Sequence, residues 1–204
     1  MTTYSLIVEN KSILTGSICV YQRDPQQRIN RNLYSLAWFS KMCHPNTTVE
    51  FSWSIDYCFN WAETGALRPG VLFSASESLA ADPSLVDATN TIAFNYSSGA
   101  FRFVQAKEIT DPGMLRIITD NTIPNKKASI GIGMSGQPAF ATDAGPNLSY
   151  SFIPHPQYYV AFGYYLQGEV IDLNLVSSTV CVEYEDNIFE RTVRLKSNNT
   201  WDAD

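Results

Sequence analysis

The first group of residues with a spacing suited to chemistry is a glycine motif. Gly131, Gly133 and Gly136 satisfy the GxGxxG pattern that presents backbone N–H groups to the pyrophosphate of a dinucleotide. Such a site needs a strand before the motif and a helix after it. Pro138 and Pro146 prevent a helix of useful length here. We therefore expect no dinucleotide cofactor, and we predict that the glycines leave one face of a strand bare for close packing.

Histidine and cysteine offer the next candidates for chemistry. His44 and His155 each precede a proline, which favours an extended backbone. Cys43 next to His44 is the sole hint of a metal site, and neighbouring residues of an extended chain point apart. We therefore predict no metal site. The four cysteines lack a CxxC spacing, and we expect buried free thiols in preference to a disulfide framework. They are Cys19, Cys43, Cys58 and Cys181.

Nucleophilic serine and paired carboxylates complete the search for catalysis. Ser135 is not part of a GxSxG motif, so it lacks the strand-to-helix elbow of a hydrolase. Carboxylate pairs for glycoside hydrolysis could be drawn from Glu50, Asp56, Glu169 and Asp172, but any acidic protein offers such pairs. No combination reaches the specificity of a catalytic site. We expect a protein that is not an enzyme and that carries no cofactor.

Aromatic residues give the strongest indication of a functional surface. Over residues 157–167, Tyr158 and Tyr164 fall on one face of a predicted strand, and Tyr159 and Tyr165 fall on the other. Tyrosine on both faces fits two different structures. The first is a strand between two layers that both need bulky side chains. The second is a strand whose outer face binds a ligand.

The ligand-binding interpretation makes a specific prediction. If the face of Tyr158 is core, Tyr159 and Tyr165 flank a saddle of small residues at Ala161 and Gly163 that could receive a sugar ring or a partner's side chain. Trp61 is a further residue that could stack on a sugar. The candidate binding residues are Tyr158, Tyr159, Tyr164, Tyr165, His155 and Trp61.

The sequence predicts that the elements positioning these residues are β-strands. Apolar and polar residues alternate over 47–61, which predicts one long strand or a bent pair covering one side of a core. Gly, Pro, Asn and Ser clusters separate the other runs, with almost no helical periodicity. The predicted hairpins join 4–9 to 16–22, 90–96 to 100–109 and 177–185 to 188–195, the last across Asp186 and Asn187.

These elements predict an all-β fold. We expect a single-domain antiparallel β-sandwich of about nine to eleven strands with little helix, extending over residues 1–204. Two smaller domains would also suit this length, but all-β sandwiches of this size are commonly one unit. The polar tail from about residue 196 is predicted to be a loop or a short edge strand.

Composition excludes two classes of partner. The net charge is −6, with only 14 lysines and arginines, so we expect no nucleic-acid partner. No window approaches the roughly 18 apolar residues of a membrane-spanning helix. The beginning of the sequence lacks the basic and apolar regions of a signal peptide. We therefore expect a protein that is cytoplasmic as synthesised, with release by an unconventional route left open.

Several stretches together resemble one protein family. SLAWFSK (35–41) with His44-Pro45 after it, FSWSIDYCFNW (51–61), IGIGMSG (130–136), and FIPHPQYYVAFG (152–163) followed by GEVID (168–172) are similar to the RhiA family of rhizobial and related bacterial proteins. The resemblance implies a bacterial protein made abundantly under quorum control near plant roots. The family has no established enzymatic activity, so it supplies no catalytic residues for this sequence.

Residues and resemblance together predict a non-enzymatic accessory protein. Low charge and abundant tyrosine on strands with open edges favour self-association or protein binding through a β-sandwich surface. The alternative is a lectin-like module, in which Tyr159, Tyr165 or Trp61 stacks on a host or bacterial glycan. The expected partners are another copy of the chain, glycans or host proteins.

Overall fold

The described part of the chain is built from β-strands. The structure is a computed structural model that describes residues 2–24, 33–84, 90–108, 110–154, 157–176, 178–185 and 187–203. The described residues form an all-β fold without helix, as predicted. Two predicted features, His155 and the turn at Asp186, lie outside the described residues.

Seventeen strands are formed by the described residues. In chain order they are β1 (Thr3–Asn10), β2 (Gly16–Arg23), β3 (Tyr34–Ser35), β4 (Phe39–Cys43), β5 (Thr48–Ser54), β6 (Tyr57–Ala62), β7 (Glu77–Ala81), β8 (Thr91–Ser97), β9 (Ala100–Gln105), β10 (Leu115–Thr119), β11 (Ser129–Met134), β12 (Gln137–Asp143), β13 (Ser149–Phe152), β14 (Gln157–Gly163), β15 (Thr179–Val182), β16 (Glu190–Leu195) and β17 (Trp201–Ala203). The predicted nine to eleven strands were too few, because several short edge strands carry too few residues to show alternation.

The strands form four sheets. Sheet I has the order β17-β16-β1-β5, and sheet II has the order β15-β14-β2-β4. Sheet III has the order β3-β12-β11-β6-β7, and sheet IV has the order β13-β10-β8-β9. The C-terminal tail contains β17, which pairs with β16 at the edge of sheet I. Of the two predicted alternatives, a loop and a short edge strand, the edge strand is correct.

Two pairs among the described strands are parallel, which corrects the prediction of wholly antiparallel sheets. β1 runs parallel to β16, with Ser5 opposite Glu190. β8 runs parallel to β10, with Thr91 opposite Arg116. Parallel neighbours need a crossover connection. The turn residues on which the prediction rested describe only strands that follow one another in the chain, so they carry no information on these pairs.

The hairpin of β8 and β9 confirms one of the three predicted hairpins. Its two turn residues, Ser98 and Gly99, have φ values of 55° and 82°. Positive φ at both positions is typical of the type I′ turn, whose twist matches that of the flanking strands. Short-range turn chemistry was therefore sufficient to predict this element.

The other two predicted hairpins are wrong in their pairing. β1 lies in sheet I and β2 in sheet II, so these two strands do not pair. β15 lies in sheet II and β16 in sheet I, so they do not pair either. A buried side chain helps to fix the first connection: the Asn10 amide donates to the Leu14 carbonyl at 2.9 Å, and Asn10 Oδ1 accepts the Ser12 N–H at 2.9 Å. This turn sends the chain to another sheet instead of back along the same one.

One hydrophobic core cluster contains residues from all four sheets. Residues 47–61 illustrate how it is filled: β5 contributes Phe51 and Trp53, and β6 contributes Phe59 and Trp61. The predicted alternation is confirmed for β5 but is wrong for β6, where Cys58 and Asn60 are buried as well. The chain breaks between the two strands and places them in sheets I and III. Of the predicted alternatives, the bent pair is correct.

The glycine motif forms an antiparallel strand pair and no helix. Ser135 and Gly136 turn between β11 and β12 with φ values of 55° and 71°. A Cβ on Gly131 would lie 1.9 Å from the Phe140 carbonyl oxygen, and one on Gly133 would lie 2.2 Å from that of Gln137. The predicted close approach of a neighbouring backbone is confirmed. No helix long and apolar enough to cross a membrane is found among the described residues.

Candidate functional site

Strand β14, near the centre of sheet II, carries Tyr158 and Tyr159, whereas Tyr164 and Tyr165 follow its last residue, so the predicted strand over 157–167 was too long. β14 pairs with β2 on one side and with β15 on the other. In this register Tyr158 lies between Gln22 and Val182, while Tyr159 lies next to Tyr21. Because neighbouring side chains of a strand point to opposite faces, Tyr158 and Tyr159 belong to two separate clusters.

The inner face of β14 belongs to the aromatic core. Tyr158 is 5% exposed, and its ring centroid lies 4.9 Å from that of Trp53, 5.9 Å from Trp38 and 5.8 Å from Tyr184. Burial raises the pKa of Tyr158 and of Tyr184 above the usual tyrosine value. The Tyr158 ring packs between sheets I and II, so it is not part of an exposed stacking surface.

The outer face carries a second aromatic group with a cation. The Tyr21 and Tyr159 rings are stacked at 5.6 Å, and the Arg23 guanidinium lies 4.3 Å from the Tyr159 centroid. Arg23 also donates to the Tyr21 hydroxyl at 2.9 Å. Burial raises the pKa of Tyr21, and the Arg23 charge partly opposes this shift. The exposed side of Tyr159 is therefore covered by a cation–π contact within the chain itself.

The predicted saddle at Ala161 and Gly163 is already filled. Ala161 is 1% exposed and packs in a cluster with Cys19, Ala37 and Ile171. The Tyr165 ring covers the other position, since a Cβ on Gly163 would lie 2.8 Å from it. The chain after β14 folds back over the sheet and occupies the place of a sugar ring or a partner's side chain.

The remaining predicted residues are not brought to this strand. Trp61 lies on β6 in sheet III, is 7% exposed, and donates its indole N–H to Glu77 Oε2 at 2.7 Å. The Phe94 and Phe101 rings lie 5.6 and 5.9 Å from it. Trp61 is thus a core residue. His155 lies outside the described residues, and Tyr164 is 82% exposed.

Comparison with known proteins decides the family. The family model of RhiA matches residues 1–204. The chain belongs to the RhiA family. It is 35% identical over 208 residues to Protein RhiA of Rhizobium leguminosarum bv. viciae, with 98% of this chain and 86% of that protein covered. No solved structure matches this RhiA-family chain. The resemblance predicted from its motifs is confirmed.

Three of the four candidate carboxylates of this RhiA-family chain accept hydrogen bonds from residues close by in the sequence. The Asp56 carboxylate accepts from the Ser54 hydroxyl, Glu169 accepts the Leu166 N–H at 2.9 Å, and Asp172 accepts the Asn174 N–H at 3.0 Å. The described residues contain no group of three or more His, Cys, Asp and Glu side chains that could hold a metal. The four cysteines are free, as predicted, and three of them are buried.

Sequence reasoning missed an exposed apolar surface at one end of sheet II. Met42 on β4 lies opposite Ser17, which in turn lies opposite Gly163. The Tyr164 hydroxyl donates to the Thr15 carbonyl at 3.3 Å, which fixes the ring beside the β1–β2 connection. The apolar end surface consists of Ile13 (83% exposed), Leu14 (44%), Met42 (53%), Tyr164 (82%) and Leu166 (66%). An isoleucine and a leucine within the otherwise polar turn at 10–15 were the available signal.

Proposed function

We propose that this RhiA-family protein is a non-enzymatic binding protein that self-associates through the apolar end surface. The observation that carries the proposal is that five exposed large apolar side chains lie at or next to the ends of β2, β4 and β14 that meet at one end of sheet II. Single exposed apolar residues are normal on a soluble protein, whereas a contiguous group of them is typical of an interaction site. The protein-binding alternative differs only in the identity of the partner.

We infer that the sheets that carry this surface are stacked in layers. Trp53 of sheet I lies 4.9 Å from Tyr158 of sheet II, and Trp61 of sheet III lies 5.6 Å from Phe94 of sheet IV. These contacts support two face-to-face sheet pairs, which is the arrangement of a β-sandwich. In such a layered fold the ends and edges of the sheets stay available to another chain.

A second copy of the chain suits the apolar end surface because of its edge strand. β4 is the edge of sheet II and pairs only with β2 among the described strands. Lysines on an edge usually block pairing with another sheet. The Lys41 ammonium group is bound within the chain instead, because it donates to the Glu50 carbonyl at 2.5 Å and lies 5.2 Å from the Phe51 ring centroid.

Symmetry favours the same conclusion. A two-fold dimer brings identical patches together, so the patch must complement itself. An apolar patch meets this condition, whereas a patch with one sign of charge would repel its own copy. The five side chains of the apolar end surface are uncharged.

Sedimentation velocity over a range of micromolar concentrations tests the proposal. We expect concentration-dependent association of the natural protein. Met42→Lys buries a charge in the interface and weakens association at least tenfold, on the order of 1.4 kcal/mol. The matched control is Leu148→Lys, because Leu148 is 48% exposed against 53% for Met42 and lies outside this surface. Monomer at every concentration, or equal loss in both variants, would refute self-association through this surface.

Carbohydrate binding, the second predicted function, has less support from the geometry. Of the predicted stacking residues, Trp61 is buried, the Tyr159 ring has the Arg23 guanidinium 4.3 Å from its centroid, and the Tyr165 ring packs against Gly163 in the filled saddle. Titration with plant and bacterial polysaccharides, followed by tryptophan fluorescence, tests this alternative. Because the rings are already packed, we expect no change.

A further inference from the structure

A groove runs along a free strand edge of sheet IV. Strand β13 pairs only with β10 among the described strands, so one of its two edges has no neighbouring strand. A pocket of about 380 Å³ lies there, which is within the range of ligand-binding sites. All residues of Ser149–Phe152 line it. Because successive side chains of a strand point to opposite faces, a pocket lined by four consecutive residues follows the edge of the strand.

The hydrogen bonds between β10 and β13 show which backbone groups face this groove. In an antiparallel pair, residues bonded to the partner strand alternate with residues that are not. The Thr119 N–H donates to the Leu148 carbonyl at 2.9 Å, which sets the alternation. Tyr150, two residues after Leu148, therefore bonds to β10. The N–H and C=O groups of Ser149 and Ser151 point away from β10, to the free edge.

The other neighbour of β10 supports this assignment. Arg116 lies opposite Ser151 and donates its N–H to the Asn90 carbonyl at 2.8 Å, on the side of β8. Ser149 and Ser151 are exposed, and their backbone groups make no hydrogen bond to another described residue. Unpaired N–H and C=O groups on a strand edge are a template for a further strand.

The residues that line the rest of the groove add a positive charge. They include Asn125, Lys126 and residues 143–145. The Asp143 carboxylate is occupied within the chain, because it accepts the Leu67 N–H at 2.6 Å. Lys126 is exposed and forms no ion pair with another described residue. The groove thus combines free main-chain groups with an unpaired ammonium group.

An extended peptide suits this combination. A peptide that adds a strand to a sheet edge gains affinity from main-chain hydrogen bonds and specificity from its side chains. An acidic side chain complements the Lys126 charge. The edge of a second sheet is a poorer occupant, because β13 has only four residues and very short edge strands prevent sheets from pairing edge to edge.

We propose that the groove along β13 binds an extended acidic segment of another protein. The segment adds a strand to sheet IV by hydrogen bonding to the backbone of Ser149 and Ser151, and it places a carboxylate beside Lys126. This site goes beyond the proposed self-association, since the residues that line the groove do not belong to the apolar end surface. Peptide binding and self-association therefore succeed or fail separately.

The synthetic peptide acetyl-TVEVT-amide is a suitable probe, because β-branched residues favour an extended chain and its glutamate supplies the carboxylate. It is titrated into protein labelled with ¹⁵N-serine while the backbone amide signals are followed by NMR. Ser149→Ala and Ser151→Ala assign the two signals. We expect both signals to shift until saturation and both amides to exchange more slowly with solvent.

Modified peptides test the two kinds of contact in the natural protein. N-methyl groups on alternate amides give two versions of the probe, and only one edge of an added strand faces β13. We expect one version to lose binding and the other to keep it. Replacement of the glutamate by glutamine weakens binding about threefold, as for an exposed ion pair.

Protein variants test the same contacts from the other side. Ser151→Pro removes the N–H at an edge position that tolerates proline, and we expect it to keep the urea midpoint and to weaken binding about fivefold. Ser151→Ala is the matched control, because it keeps the N–H and the natural affinity. Lys126→Asn suits the φ of 54°, and it weakens binding of the glutamate peptide alone.

Three results would overturn the proposal. The first is the absence of shifts at Ser149 and Ser151 with the peptide. The second is equal affinity of the two methylated versions. The third is a shift of both signals with protein concentration in the absence of peptide, which would assign this edge to a second copy of the chain.

Discussion

Replacing Gly131 by alanine tests the close packing that the glycine motif provides. Gly131 lies on β11 between β6 and β12, opposite Asn60 and Ala141. A Cβ at this position would be 1.9 Å from the Phe140 carbonyl oxygen. The strand would have to move by roughly 1.5 Å to restore an ordinary van der Waals contact, because backbone cannot rotate away as a side chain does.

The magnitude follows from the buried position of the clash. Overpacking a core by one methyl group typically costs about 1–3 kcal/mol, and displacement of β12 also weakens its hydrogen bonds at about 1 kcal/mol each. We expect Gly131→Ala to lower the free energy of unfolding by about 3 kcal/mol or more. That is roughly a hundredfold change in the folding equilibrium constant.

Urea denaturation followed by tryptophan fluorescence measures this change. The control is Gly99→Ala in the β8–β9 turn, where an added Cβ meets no atom within 4 Å. Gly99 has a φ of 82°, so alanine there costs only the backbone term of about 1–2 kcal/mol. If Gly131→Ala destabilises the protein no more than Gly99→Ala, strand packing is not the reason for this glycine.

Two further predictions rest on buried ionisable groups. Burial raises the pKa of Tyr158 and Tyr184 above the usual value of 10, so the folded chain keeps protons that the unfolded chain releases. The stability that these two tyrosines contribute is complete below about pH 10 and is lost as the pH rises towards their pKa in the folded protein. The urea concentration at the midpoint of unfolding should therefore fall as the pH rises through this window. A constant midpoint would contradict the raised pKa of these tyrosines. Burial also raises the pKa of the Cys19, Cys58 and Cys181 thiols. Native protein should therefore react slowly with iodoacetamide and unfolded protein quickly. Equal rates would contradict the raised pKa of these thiols.

The strand that carries the tyrosines shows how far the sequence leads. Alternation over residues 157–167 placed Tyr158 and Tyr159 on opposite faces of one strand, and the structure confirms this. The sequence could not show that both faces are covered. The cover over Ala161 comes from Ile171, ten residues further along the chain, and from Ala37 on a distant segment. Such contacts depend on tertiary folding and have no periodicity.

The connections between strands show the same limit. Ser98-Gly99 predicted a hairpin correctly because positive φ at both residues fixes the direction of the chain locally. The turn after β1 carries similar polar residues, yet it links two sheets, because Asn10 is buried and binds the Cys43 carbonyl at 3.3 Å from a distant strand. Turn composition alone does not distinguish these outcomes.

Sequence by itself determined the all-β class, the close packing at Gly131 and Gly133, the free thiols and the family. These properties follow from local alternation, from the space that a missing side chain leaves, and from motifs that span the chain. Tertiary structure decided the parallel pairs, the filled saddle and the apolar end surface. Each of these depends on which distant segments meet, and the free energy of those contacts is shared among residues that no local pattern connects.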